Sequence, residues 1–305
     1  EDMVPRLRRT EGEITETLRA LTGRYIEPSP AGAPTTNGVD VLPTGRNFYG
    51  LDPRCMPTAA AWEYGKQLGD ALIEQYISDE GRYPEAVGIV FWAGSNMRSH
   101  GQCIAELFYL MGVRPIWLRP SQRVCGLEII PIAELQRPRI DVTARISGLF
   151  RDAVPNAVRW VDEAVRMVRD LDESDEENYV RKHVLADTAW LEEQGEARES
   201  AWERASVRIF GDPPGAYGAG IGDLLESKAW ETLDDLAAVY TRFSGTAYGG
   251  DGFARGYDPE VFQRRMAGLD VTVKNEDTRE THMFSSDDYN AYHGGMIATV
   301  RALTG

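Results

Sequence analysis

Cysteine is scarce: Cys55, Cys103 and Cys125 are the only three among 305 residues, an odd number without C-x-x-C spacing. That excludes a disulfide framework and a thiolate zinc knot, and it suits a reducing compartment. No apolar run approaches the roughly 20 residues needed to cross a bilayer. The first segment, from Glu1-Asp2-Met3, carries no signal-peptide core, so no membrane span and a cytoplasmic location are expected. Basic charge is also short. With 33 basic against 48 acidic residues the net charge is −15, which repels nucleic-acid phosphates and leaves an acidic, solvated surface as the plain reading. Only Lys66, Lys182, Lys228 and Lys274 are lysines, so nearly all the positive charge is guanidinium. The phosphate loop G-x-x-x-x-G-K-[ST], the H-E-x-x-H pattern, a nucleophile elbow and a catalytic Cys/His spacing are all absent. Any nucleotide-driven step therefore needs another subunit.

What is present is the composition of a globular protein, 42% hydrophobic and 10% aromatic, long enough for two lobes or one large α/β domain. A helix over Glu11 to Leu21 and a Pro/Gly/Thr-rich stretch form an N-terminal helix and linker over 1–40. Helical spacing covers Ala59 to Tyr76, and Ala86 to Trp92 is a continuous apolar run of the kind found in buried parallel strands. Ile104, Leu107, Phe108 and Met111 recur as a helix face, after which Val113 to Leu118 predicts the second strand of a βαβ unit. Ile140 to Ile146 adds a strand, and Val158, Val161, Val165 and Val168 draw a core-facing helical stripe. The expected fold is α/β: a mostly parallel sheet flanked by helices over 41–175, with a second α/β or helical lobe over 176–305 docked on it. In that lobe Val207 to Phe210 and Val271 to Val273 are strand candidates, with helices at Leu233 to Tyr240, Pro259 to Met266 and Asp287 to Leu303.

Ligands of doubly wound sheets sit beyond the carboxyl ends of the strands, and the loops rich in chemistry fall there. His100, Gln102 and Glu106 place an imidazole, an amide and a carboxylate around one helix start, a group suited to metal transfer or proton handling. Ser99 and Gln102 equally match an S-x-x-Q capping box. Glu276 and Asp277 follow a strand candidate, and His293 shares a helix face with Tyr289 and Met296, a spacing that also serves packing. Arg98, Arg145 and Arg151, with Arg46, offer guanidinium forks for a polycarboxylate, or surface salt bridges. Trp92, Phe48, Tyr49 and Tyr217 offer flat apolar faces. The stretch Leu42-Pro43-Thr44-Gly45-Arg46-Asn47-Phe48-Tyr49-Gly50-Leu51-Asp52-Pro53 has too many glycine- and proline-fixed residues to be packing filler and reads as a ligand loop.

Leu42 to Pro53, Asn96-Met97-Arg98, Arg137 to Val142, Ser147 to Asp152, Asn178 to His183, Pro214 to Gly220 and Asp287 to Met296 together resemble the large subunits of the cobaltochelatase and magnesium chelatase family. The resemblance covers nearly the whole chain and matches a central-to-C-terminal segment of much longer proteins. The closing words Ser286-Asp287-Asp288-Tyr289 and His293-Gly294-Gly295-Met296 favour the cobalt branch. The resemblance implies a tetrapyrrole-binding, metal-inserting component that places Co²⁺, as substrate, into hydrogenobyrinic acid a,c-diamide in cobalamin biosynthesis. ATP and Mg²⁺ would act on partner AAA+ ATPase subunits, not on this chain. In this reading His100, Gln102, Glu106, Glu276 and Asp277 are catalytic. Arg46, Asn47, Phe48, Tyr49, Trp92, Arg98, Arg145, Arg151 and Tyr217 bind the corrinoid or porphyrin, and His100 and His293 meet the metal. The rivals are a magnesium chelatase subunit acting on protoporphyrin IX and a non-catalytic tetrapyrrole carrier. The carrier is suggested by Gln102, where the family generally has an acid thought to face the ring.

Overall fold

The computed structural model describes residues 3–29, 32, 41–47, 50–119, 121–250, 253–277, 282–283 and 285–305. They fall into two compact units, Glu1–Asp52 and Pro53–Gly305. In the first, Met3–Arg8 and α1 (Gly12–Leu21) are joined by a single 3₁₀ turn. The Leu42-Pro43-Thr44-Gly45 loop lies on that helix start. Gly45 has φ +110°, and a Cβ there would stand 2.7 Å from the Glu13 nitrogen, so only glycine fits.

The second unit is built on one six-stranded sheet. Helix α2 (Ala59–Glu80) opens on Thr58, whose side chain accepts the Ala61 N–H, and stops at left-handed Gly81. It leads into β1 (Ala86–Phe91), buried along its whole length as an apolar run without alternation requires. Val87, Ile89 and Phe91 are sealed, each contributing about 1.5–3 kcal/mol. Then come α3 (Ala93–Arg98), α4 (Gln102–Met111), β2 (Val113–Leu118), β3 (Arg123–Ile129), β4 (Asp141–Ile146), α5 (Gly148–Ala153) and α6 (Pro155–Arg169). The valine stripe of α6 is buried as its spacing predicts. Beyond it lie α7 (Tyr179–Glu193), α8 (Arg198–Ala205), β5 (Ile209–Gly211), α9 (Ile221–Ser227), α10 (Leu233–Ser244), β6 (Thr246–Gly249), β7 (Phe253–Tyr257), α11 (Pro259–Ala267), β8 (Val271–Val273) and α12 (Gly295–Thr304).

The sheet order is β7-β6-β5-β4-β1-β8. Strands β8, β1, β4 and β5 run parallel, and the β6–β7 hairpin is added antiparallel to β5. Alternation along β1 feeds both faces. Ala86 and Val90 join the core under α10, α11 and α12 with Phe210, Tyr240, Phe262 and Met296, whereas Phe91 meets Phe150 on the other side at 5.3 Å. The mostly parallel α/β architecture expected from the sequence is therefore present.

Two local expectations change. Val113–Leu118 is not the second parallel strand: it pairs antiparallel with β3 in a separate ribbon, and β4 is the parallel neighbour of β1. Its burial alternates instead of being continuous, and Pro115 has no N–H to give an interior ladder, so an edge position suits it. The final helix is interrupted by a π-turn at Asn290–Gly294 between Asp287–Tyr289 and α12. Strands from both sides of residue 175, β4 and β5, pair directly, so a boundary there divides the sequence but not the sheet. Among the described residues no helix is long and apolar enough to cross a membrane.

Candidate functional site

The carboxyl ends of β8, β1, β4 and β5 deliver four loops to one end of the sheet, and a continuous chain of contacts links them. After β8, Asn275 donates its amide to Glu106 Oε2 at 2.5 Å and reaches Cys103 Sγ at 3.4 Å, tying this loop to α4. Two residues on, Asp277 receives both Nε and Nη2 of Arg98, at 2.7 and 2.8 Å. Lys274 pairs with Glu276 at 3.2 Å and lies over the Tyr289 ring at 4.3 Å. Trp92, the first residue past β1, packs edge-on against Tyr292 at 4.9 Å. Tyr292 in turn donates its hydroxyl to Asp212, the first residue past β5.

Asp212 is the centre of the other half. Its carboxylate, fully enclosed, pairs with Arg145 at 2.6 Å and accepts the N–H groups of Gly148 at 2.8 Å and Gly218 at 3.0 Å. Its carbonyl oxygen takes the Tyr248 hydroxyl and Arg151 Nη1. One aspartate thus fastens the loop after β4 to the glycine-rich loop after β5. The approach is so close that a Cβ on Gly148 would lie 2.6 Å from the Ala216 carbonyl oxygen. The sequence reading missed Asp212, Tyr292 and Asn275. The signal was available for Asp212 and Asn275, which stand just past strand ends, where ligand loops begin.

The predicted residues sort by exposure and engagement. Arg145, expected as a substrate contact, has its guanidinium enclosed and bound by Asp212, Ser244 and the Ile146 carbonyl, over the Tyr292 ring at 4.3 Å. It organises the loops from inside. Arg151 is engaged likewise, donating to the carbonyls of Asp212, Pro213 and Ala216 and to Asp152. Tyr217 is different. Its ring is 65% exposed, with its hydroxyl anchored on Asp152 at 2.6 Å, so one aromatic face is open at the loop tip. Arg46 and Asn47 belong to the first unit, where they bond Glu27 and the Gly32 carbonyl. Phe48 and Tyr49 lie outside the described residues.

Around α4 the side chains carry proton and metal chemistry. Burial pushes the Glu106 carboxyl up to about 7, against the opposing hydrogen bond from Asn275, which places its titration in the neutral range. The Cys103 thiol beside it is driven up to about 12 by burial and stays protonated. Burial lowers both His100 and His293, so each imidazole is neutral at pH 7. His293 Nε2 meets Thr272 Oγ1 at 3.1 Å, and the Nδ1 atoms of both histidines are buried without a hydrogen-bond partner among the described residues. His100 is held in left-handed backbone (φ +56°), its carbonyl accepting the Thr58 N–H. Gln102 opens α4 behind Gly101. Ser99 Oγ accepts the Gln102 N–H at 3.4 Å, and the reciprocal half of a capping box is missing, leaving the Gln102 amide without a partner among the described residues. No three His, Cys, Asp or Glu side chains among the described residues converge as a metal cluster.

Two of the sequence words noted above lie elsewhere. Arg139 and Asn178 brace the start of β4 and of α7 through Glu173, and His183 bonds Asp141 at the amino end of β4.

Comparison with known proteins places this geometry. A family model described as CobN/Magnesium Chelatase matches residues 1–305. The chain is 44% identical over 296 residues to the aerobic cobaltochelatase subunit CobN of Pseudomonas aeruginosa, covering 96% of this chain and 23% of that one. To the chloroplastic magnesium-chelatase subunit ChlH of Oryza sativa subsp. indica it is 34% identical over 293 residues, 93% of this chain and 20% of the other. The catalytic subunit of cobaltochelatase from Mycobacterium tuberculosis superposes over 100% of this chain with TM-score 0.80 and 50% identity, and 25% of that chain is covered. The chain thus spans about a quarter of the length of these relatives.

Proposed function

Since the chain belongs to the CobN/magnesium chelatase family, we propose that it forms part of the tetrapyrrole-binding, metal-inserting subunit of a cobaltochelatase. Its substrates in this reading are Co²⁺ and hydrogenobyrinic acid a,c-diamide, in the cytoplasm. ATP and Mg²⁺ are used by AAA+ partner subunits. Cobalt is favoured over magnesium because the named cobaltochelatase subunits are 44–50% identical, against 34% for the magnesium-chelatase subunit.

Insertion requires Co²⁺ to shed water while the inner N–H of the corrin ring loses its proton, so the site needs a base that titrates near neutrality and ligands that bind weakly enough to release. Three carboxylates were candidates for the base. Asp277 is committed to Arg98 and Glu276 to Lys274, which leaves Glu106 as the acceptor for the ring proton. Neutral His100 and His293, each with an unpaired Nδ1, are the transient ligands. One or two imidazoles without a three-ligand cluster suit a metal that passes through. Exposed Tyr217 and half-buried Trp92 supply surface for the ring, and Arg98 faces its carboxylates from the Asp277 pair.

The observation that carries this reading is the Glu106–Asn275 pair at the strand ends, a buried carboxyl poised at neutral pH. Its test is metal insertion by the full-length subunit with its ATPase partners, offered Co²⁺ with the corrinoid and Mg²⁺ with protoporphyrin IX, beside Gln102→Glu. Cobalt insertion by the unchanged protein is expected. Insertion of magnesium alone would move the protein to the other branch, and activity in Gln102→Glu only would make it a carrier.

A further inference from the structure

At the amino end of the sheet, opposite the ends that carry the candidate site, lies a cavity of about 500 Å³ between α7 and α11. Its walls include His183, Asp187, Trp190, Gln263, Arg264 and Leu303. Beneath it runs a charge network with more guanidinium than carboxylate. Asp141 receives Arg208 Nε, Arg265 Nη2 and His183 Nδ1, and Asp187 receives Arg264 Nε and Arg265 Nη1. Three guanidinium groups therefore share two carboxylates. Glu85 does not redress this, because Lys182 holds it at 2.5 Å and His183 Nε2 stands 3.4 Å away.

The surplus shows in the atoms left over. Arg265 Nε and Arg208 Nη2 are buried without an acceptor among the described residues, which marks a network short of anions. Arg264 carries the excess to the cavity: with Nε on Asp187, its Nη1 and Nη2 make no hydrogen bond to any described residue. Its Cζ lies 4.8 Å from the centre of the Trp190 ring. A guanidinium anchored through Nε, with its outer edge free beside an aromatic wall, matches a planar carboxylate in two parallel hydrogen bonds. Trp190, Ala186, Ala267 and Leu303 supply the apolar part of the lining.

We propose that this cavity binds a small organic carboxylate, its anionic end on Arg264 and its flat apolar body along Trp190. The site is separate from metal insertion and stands whether or not that function holds.

The test titrates the protein with 1-naphthoate and, as the neutral isostere, 1-naphthamide, by calorimetry. Naphthoate is expected to bind at least about tenfold more tightly than the amide, and Arg264→Gln to weaken naphthoate by at least about tenfold while leaving the amide unchanged. Arg264→Lys, which keeps the charge and loses the fork, is expected to fall between. Arg264 is partly exposed and Asp187 keeps Arg265, so the variants fold, and a thermal melt matching the parent verifies it. Equal binding of acid and amide, unchanged naphthoate binding by Arg264→Gln, or no naphthoate binding, as when another polypeptide segment fills the cavity, overturns the proposal.

Discussion

At the residue scale Glu106 carries the most specific chemistry, and its burial has two separable consequences. As a base it works only when ionised, so insertion should climb as pH passes through about 7. Glu106→Gln should lower the insertion rate by about 100-fold or more and remove that rise, measured as initial rates across pH. Retention of the pH profile in the variant would take Glu106 out of the mechanism. Stability runs the other way. Because the folded-state value stands above the ordinary one of 4.5, the folded chain holds a proton that the unfolded chain has lost between about 4.5 and 7, and stability falls as pH rises through that window. Glu106→Gln, which never ionises, should therefore gain on the parent by about 3 kcal/mol at pH 8 and by almost nothing at pH 4, read from urea unfolding. This second outcome needs neither metal nor macrocycle.

At the scale of elements, the loops after β4 and β5 act as one piece because Asp212 joins them. Asp212→Ala strands Arg145 inside the protein without its counter-ion, and a loss of about 3–5 kcal/mol is expected in denaturant unfolding. Gly148→Ala leaves all charges in place but drives a methyl into the Ala216 carbonyl and the Tyr217 ring. It should weaken macrocycle binding, followed by fluorescence quenching, far more than it lowers the melting temperature. Equal effects on both would show that the loop pair serves only to hold the fold. The positions of these loops were legible beforehand, since glycine-rich words after apolar runs point to strand ends. Which arginines face inward was not. Arg98 and Arg145 look alike in sequence, yet Arg145 sits on an interior strand face opposite Tyr240 and Tyr292, while Arg98 stands on a short exposed helix turn.

For the molecule as a whole, Asp141 plays a corresponding part at the other end of the sheet. It ties β4 to α7, to the lead into β5 and to α11, joining segments from both sides of residue 175. Burial alone would raise this carboxyl, but Arg208 and Arg265 outweigh it and hold it well below the usual carboxylate range. Its contribution is therefore complete above about pH 4 and is lost as pH falls toward the folded-state value. Residues 53–305 should unfold in one transition, with calorimetric and van't Hoff enthalpies in agreement, and Asp141→Asn should lower stability at pH 7 while flattening its decline in acid. Two resolved transitions dividing near residue 175 would instead support two independent lobes.

The main helices, the buried parallel strands and the family follow from this sequence alone, because apolar periodicity and glycine-fixed turns are local properties that persist wherever the chain goes. Pairing is not local. That Val113–Leu118 leaves the sheet for a ribbon, that the glycine-rich Thr246–Gly249 and Phe253–Tyr257 become an added hairpin, and that Asp212, Asn275 and Asp141 become hubs were decided by tertiary structure. A charged side chain is defined by which opposite charges surround it and how much water remains, and both are set only when distant strands come together.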